Sequence, residues 1–151
     1  MGAEATNRQA IREAMCRVWT TATGQHRAPV FLDLRRAPNT ILNEMFSIDF
    51  LTANTGKNRD QPGETARLED TVTISSWYRL NPKAQDAVRD LASDREETGR
   101  GLVLSTLTAP MNRVRTRYIR STPTLHPLGE WYIRTSVYGV AYEAAIPAVT
   151  P

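Results

Sequence analysis

The stretch Leu68-Glu69-Asp70-Thr71-Val72-Thr73-Ile74-Ser75-Ser76-Trp77-Tyr78-Arg79-Leu80-Asn81-Pro82 decides the architecture. Through Leu80 it alternates with a period of two, as a strand does. Val72, Ile74, Ser76, Tyr78 and Leu80 share one face; Thr71, Thr73, Ser75, Trp77 and Arg79 share the other. Both faces are rich in β-branched and aromatic residues, which predicts a central strand. Asn81-Pro82 then predicts a switch to helix, with asparagine as the cap and proline, which has no N–H to leave unpaired, in the first helical position. The helix is expected over Pro82–Leu107, with Ala84, Ala87, Val88, Leu91, Ala92, Leu102 and Val103 on its apolar face. Gly99 and Gly101 predict a kink or break in its polar part.

Working toward the N-terminus, Asn54–Arg67 is polar and holds Gly56, Pro62 and Gly63, so a long mobile hairpin loop is expected there. Met45–Ala53 precedes it as a strand with Phe46, Ile48 and Phe50 on one face. A short strand is expected at Val30–Leu34, before Ala37-Pro38-Asn39 interrupts it. Ala10, Ile11, Ala14, Met15, Val18, Trp19 and Ala22 predict a first helix over Asn7–Thr23. Thr6 with Gln9 has the form of a capping box, Gly24 supplies the stop, and Arg8, Arg12, Glu13 and Arg17 form a solvated side. Toward the C-terminus, strands are expected at Val114–Ser121 and Glu130–Ala144, joined by a turn over Thr122–Gly129 that holds Pro123 and Pro127. The plan is α+β: an antiparallel or mixed sheet of two hairpins packed against two helices. It is read as one domain over residues 1–151, with ragged ends at 1–5 and 147–151.

A chain of 151 residues has the size of one domain and needs no staple to fold. One cysteine, Cys16, excludes an intrachain disulfide, and its apolar helical neighbours make a buried, inert thiol the plain reading. The net charge of +3 and isoelectric point of about 9.3 fit contact with nucleic acid or an acidic partner without demanding either. No apolar run approaches the roughly 18 residues of a membrane span, and no signal pattern opens the chain, so synthesis in the cytoplasm is expected.

Catalytic chemistry has little to stand on. His26 follows a helix end and His126 sits among prolines, and both read as structural or surface residues. There is no nucleophile elbow, phosphate-binding glycine loop or dinucleotide fingerprint. Asp86, Asp90 and Asp94 recur at four-residue spacing, but Lys83, Arg89 and Arg95 lie near enough to make this a solvated face rather than a cation site. No enzyme activity, cofactor or metal is expected. The distinctive charged feature is Arg113, Arg115, Arg117 and Arg120 around Tyr118. In a strand the first three point the same way. They are either a solvated face with glutamate partners or a surface for DNA backbone or an acidic protein.

The order of elements resembles the tail terminators of long-tailed, siphovirus-like phages. The correspondence runs through Arg8-Gln9-Ala10-Ile11-Arg12-Glu13-Ala14, the hairpin around Asn54–Arg67, the Leu68–Pro82 strand turning into the Asn81–Leu107 helix, and the closing strands over Val114–Glu143. Gly129-Glu130-Trp131 through Tyr138-Gly139-Val140-Ala141-Tyr142-Glu143 is similar to the family's final strand, while the turn with Pro123 and Pro127 departs from its pattern. The resemblance implies a virion structural protein at the head-proximal end of the tail. It would form a homohexameric ring that caps the tail tube, ends its polymerisation and joins the tail to the head or neck. The implied partners are copies of itself, the tail tube protein and a head–tail connector or neck protein, with no membrane. Passing DNA would meet basic residues such as Lys57 and Arg59 without sequence being read. The alternatives are another head–tail connector or adaptor, or a basic nucleic-acid-binding module.

Overall fold

The β-formers on both faces of the Leu68–Leu80 stretch reflect its position inside a sheet. The computed structural model describes residues 3–27, 44–55, 65–80, 83–106, 114–125 and 131–145. In chain order the elements are α1 (Ala3–Thr23), β1 (Met45–Thr55), β2 (Thr65–Arg79), α2 (Gln85–Thr106), β3 (Arg115–Leu125) and β4 (Trp131–Ala145). The strands form one antiparallel sheet in the order β1-β2-β4-β3, so each hairpin stays local and the two join along β2 and β4. The fold is α+β, as the sequence predicts.

Both helices cover the same face of the sheet. Phe46, Ile48, Val72, Ile74, Tyr138, Val140 and Tyr142 project from the strands into a core with Ile11, Met15 and Trp19 of α1 and Val103 of α2. On the opposite face Trp77, Trp131 and Ile133 form a second cluster with Met45, the two indoles meeting edge-on at 6.1 Å. Tyr78, Ala92 and Tyr132, with Leu80, Val88 and Leu91, tie the start of α2 to the end of the sheet.

Several boundaries differ from the sequence reading. α1 begins at Ala3, so Thr6 lies within the helix instead of capping it; Ala3, Glu4 and Ala5 are good helix formers and extend it. α2 begins at Gln85, and Val88 donates its N–H to the Ala84 carbonyl at 3.2 Å, which puts Ala84 where Asn81 was expected to cap. Asp86 in the first turn meets the positive end of the helix dipole. Asn81 and Pro82 lie outside the described residues, as do the strand expected at Val30–Leu34, His126, Lys57, Arg59 and Arg113. α2 is unbroken through Gly99 and Gly101. β1 and β2 reach Thr55 and Thr65, so both ends of the segment expected as a loop are strand, and residues 56–64 lie outside the described residues. β3 runs through Pro123 to Leu125 where a turn was expected, and an edge strand tolerates a residue without an N–H. No helix among the described residues is long and apolar enough to cross a membrane.

The expected solvated side of α1 is partly engaged. Arg8 Nε bonds Asp70 Oδ2 at 3.2 Å, and the Arg12 guanidinium lies 5.1 Å from the Phe50 ring centre. Tyr142 donates its hydroxyl to the same Asp70 oxygen at 2.8 Å, so a carboxylate that is 0 % exposed is held between helix and sheet.

Gly24, with φ of 75°, ends α1 and turns the chain so that Gln25 enters the core. Its Oε1 accepts from Trp19 Nε1 at 2.8 Å and Ser76 Oγ at 3.1 Å, and its Nε2 donates to the Tyr78 hydroxyl at 2.9 Å. Burial pushes the Tyr78 hydroxyl up to about 12, against the opposing pull of its bonds to Gln25 and Ser76. The folded chain therefore keeps this proton after the unfolded chain, titrating near 10, has lost it. The contribution is complete below pH 10 and disappears as pH rises toward 12. Urea midpoints measured across that window are expected to fall, and Tyr78→Phe should flatten the fall; an unchanged slope in the variant would contradict this account.

Candidate functional site

β3 lies at the edge of the sheet, with burial that alternates over Arg115–Tyr118 and then slips. The slip is a bulge. Tyr118 pairs with Tyr138 and Arg120 pairs with Val137, leaving Ile119 as the extra residue. Strict alternation would send Arg120 to the side opposite Arg115 and Arg117. The bulge returns it, so Arg115, Arg117 and Arg120 all stand on the face away from the helices. Side-chain contacts agree: Ser121 and Tyr118 reach the α2 residues Glu96 and Arg100 on the helical face.

The three arginines are not equivalent. Arg117 reaches back across β4 to Glu69 on β2, with Nε and Nη2 at 3.2 and 2.7 Å from Glu69 Oε1. It can do so because Gly139 lies beneath. A Cβ there would stand 2.7 Å from Glu69 Oε1 and 3.0 Å from Arg117 Nε. The pair is solvated, with Arg117 66 % exposed, so it contributes under about 1 kcal/mol to stability, but it neutralises Arg117. Arg115 and Arg120 are exposed and have no hydrogen-bond or ion-pair partner among the described residues. Thr122 pairs with Thr135 in register beside them, and Thr135 shares a hydrogen bond of 3.1 Å with Ser75. Among the described residues this surface offers two unpaired guanidiniums and a strip of hydroxyls.

The other side of the strand fixes this display. Glu96 of α2, only 3 % exposed, accepts from Ser121 Oγ and Arg134 Nε through Oε2, both at 2.8 Å. Arg100 Nη1 approaches Oε1 at 3.4 Å, and its guanidinium lies 4.4 Å from the Tyr118 ring centre. Burial opposes charge on Arg134, yet its bonds to Tyr132 and Glu96 raise its pKa overall. Burial also raises the pKa of Tyr138, whose ring meets Tyr118 at 5.9 Å. α2 thus holds β3 by a buried ionic cluster and leaves the arginine face outward.

Lys57, Arg59 and Arg113 lie outside the described residues; of the residues singled out for an interface, the described ones, Arg115 and Arg117, stand on one face, and Arg120 joins them. Sequence reading also missed Glu69 and Gly139, although a glycine inside a strand signals a close approach. His26 is exposed, and its carbonyl accepts from Phe46 N at 3.1 Å. Cys16 is half-buried rather than fully enclosed, and burial pushes its thiol up, away from reactivity. Asp86, Asp90 and Asp94 are exposed, and among the described residues no group of three or more histidine, cysteine, aspartate or glutamate side chains could hold a metal ion. Arg95 turns instead to Glu44, at 3.6 Å. A shallow groove of about 300 Å³ lies between Arg89 of α2 and Pro123, Thr124, Leu125 and Tyr132. In sequence the chain matches no protein-family model and no curated protein.

Proposed function

We propose that the chain is a virion structural protein, a tail terminator whose ring of six copies caps the head-proximal end of a phage tail tube and joins it to the neck. The observation that carries this reading is the sheet itself. Its two hairpins and two helices follow in the order α1-β1-β2-α2-β3-β4, and edge strands β1 and β3 lie on opposite sides of a single layer. A ring needs two different surfaces per subunit that meet head to tail and close. Opposite sheet edges provide such a pair, by strand addition or by side-chain contact. The blunted edge of β3, with Pro123, a bulge and three arginines, favours side-chain contact there.

The test is direct. Electron micrographs and native mass of the purified chain, alone and with tail tube protein, should show closed rings of six, and added chain should halt tube growth at one end. A monomer under every condition, with tube growth unaffected, sinks the reading. A chain that binds filled heads but not tubes belongs instead to another head–tail adaptor.

A further inference from the structure

We infer that Arg115 and Arg120 form a sequence-independent contact for the phosphate backbone of nucleic acid, with Arg117 held out of it by Glu69. The inference rests on the arginine face alone and stands or falls apart from the ring.

The bulge at Ile119 sets three guanidiniums in one row on an outer strand. One is neutralised by Glu69 across Gly139, and the two that flank it are exposed without a partner among the described residues. Two exposed cations on one outer strand, with no carboxylate paired to either among the described residues, make a local positive potential that attracts an anion. Beside the row lie the hydroxyls of Thr122, Thr135, Ser75 and Thr73, and the apolar cluster of Trp77, Trp131 and Ile133 is already buried. A protein partner would want an exposed apolar anchor at its centre, with charge at the rim. Among the described residues this part of the face has charge and hydroxyls and no exposed apolar anchor, since Leu125, the exposed large hydrophobic residue among them, belongs to the other face. Guanidiniums and hydroxyls are the groups that hold phosphates and sugars without reading bases. A strand face carrying such groups grips a backbone without selecting a base sequence.

The experiment is binding of the intact chain to a labelled mixed-sequence DNA duplex, by fluorescence anisotropy, between about 50 and 200 mM salt, the range over which counterion release is read. Each neutralised phosphate contributes about 0.9 to the slope of log affinity against log salt. Replacing Arg115 and Arg120 together by alanine should lower that slope by about 1.8 for each copy in contact. Both residues are exposed, so an unchanged urea midpoint should confirm that the double variant folds. Glu69→Gln releases Arg117 and should tighten binding and raise the slope by about 0.9. Failure to bind DNA, or a double variant with the parent's affinity and slope, overturns the inference. Binding of polyglutamate as tight as binding of DNA at the same salt overturns it too, and assigns the face to an acidic protein.

Discussion

Replacing Gly99 by alanine is expected to lower stability by about 3 kcal/mol, while the same change at Gly101 raises it by about 0.5–1 kcal/mol. Both glycines lie in α2, and on helix propensity alone each alanine would stabilise by about 1 kcal/mol. Their surroundings reverse the sign at one of them. A Cβ at Gly99 would stand 2.5 to 2.8 Å from three carbons of the Trp19 ring, whereas at Gly101 it would meet nothing within 4 Å. The indole cannot retreat. It is 1 % exposed, tilted against Phe46 at 6.3 Å, and anchored through Nε1 to Gln25, which is anchored in turn to Ser76 and Tyr78. Added volume must separate α1 from α2 or push Trp19 off its bond, and close-packed interiors yield little. For a chain of this size a loss of 3 kcal/mol corresponds to roughly 6–12 °C in Tm. Urea midpoints of the two variants, measured together, check the claim: a rise at both sites would show that helix propensity governs both and that Trp19 yields.

Removal of the Glu96 carboxylate by Glu96→Ala is expected to lower stability by about 3 kcal/mol or more, the range for breaking a buried pair from one side. The carboxylate is 3 % exposed and serves Arg134, Ser121 and Arg100 at once. Without it, Arg134, with its side chain 22 % exposed, keeps its charge beside the core with a long contact to Tyr132 as its described polar bond. Most of the loss is therefore the stranding of a cation rather than the worth of the pair. Arg134→Met in the Glu96→Ala background should recover part of it, giving a favourable coupling of about 1–3 kcal/mol in a double-mutant cycle. If Glu96→Ala costs less than about 1 kcal/mol, water reaches the cluster and it behaves as a surface pair. Because Ser121 and Tyr118 are held through this cluster, its loss should also loosen β3 and blur the arginine row.

The two hairpins, the central place of β2 and the α+β plan were legible because alternation and helical spacing are local signals. Phe46, Ile48 and Phe50, or Ile11, Met15 and Trp19, announce their face without knowledge of what covers it. What was not legible depended on partners distant in sequence. Glu96 reads as one more charge in a polar run until β3 and β4 bring Ser121 and Arg134 beneath it. Gly99 reads as a weak point until α1 lays Trp19 across it. Arg120 reads as opposed to Arg117 because alternation counts residues, and the bulge adds one that the sequence does not mark. Pro123 suggested a turn because proline is excluded from interior strands, and only the sheet order shows that β3 is an edge.

The pairing of β2 with β4 has a kinetic side. Each hairpin closes on itself over a short span, but the seam between them joins Arg79 to Trp131 at one end and Thr65 to Ala145 at the other. Bringing such distant segments together loses chain entropy before any seam contact compensates. Docking of the two hairpins, tethered through α2, is therefore the step expected to limit refolding, and substitutions in the β2–β4 seam should slow refolding more than substitutions at the outer strands.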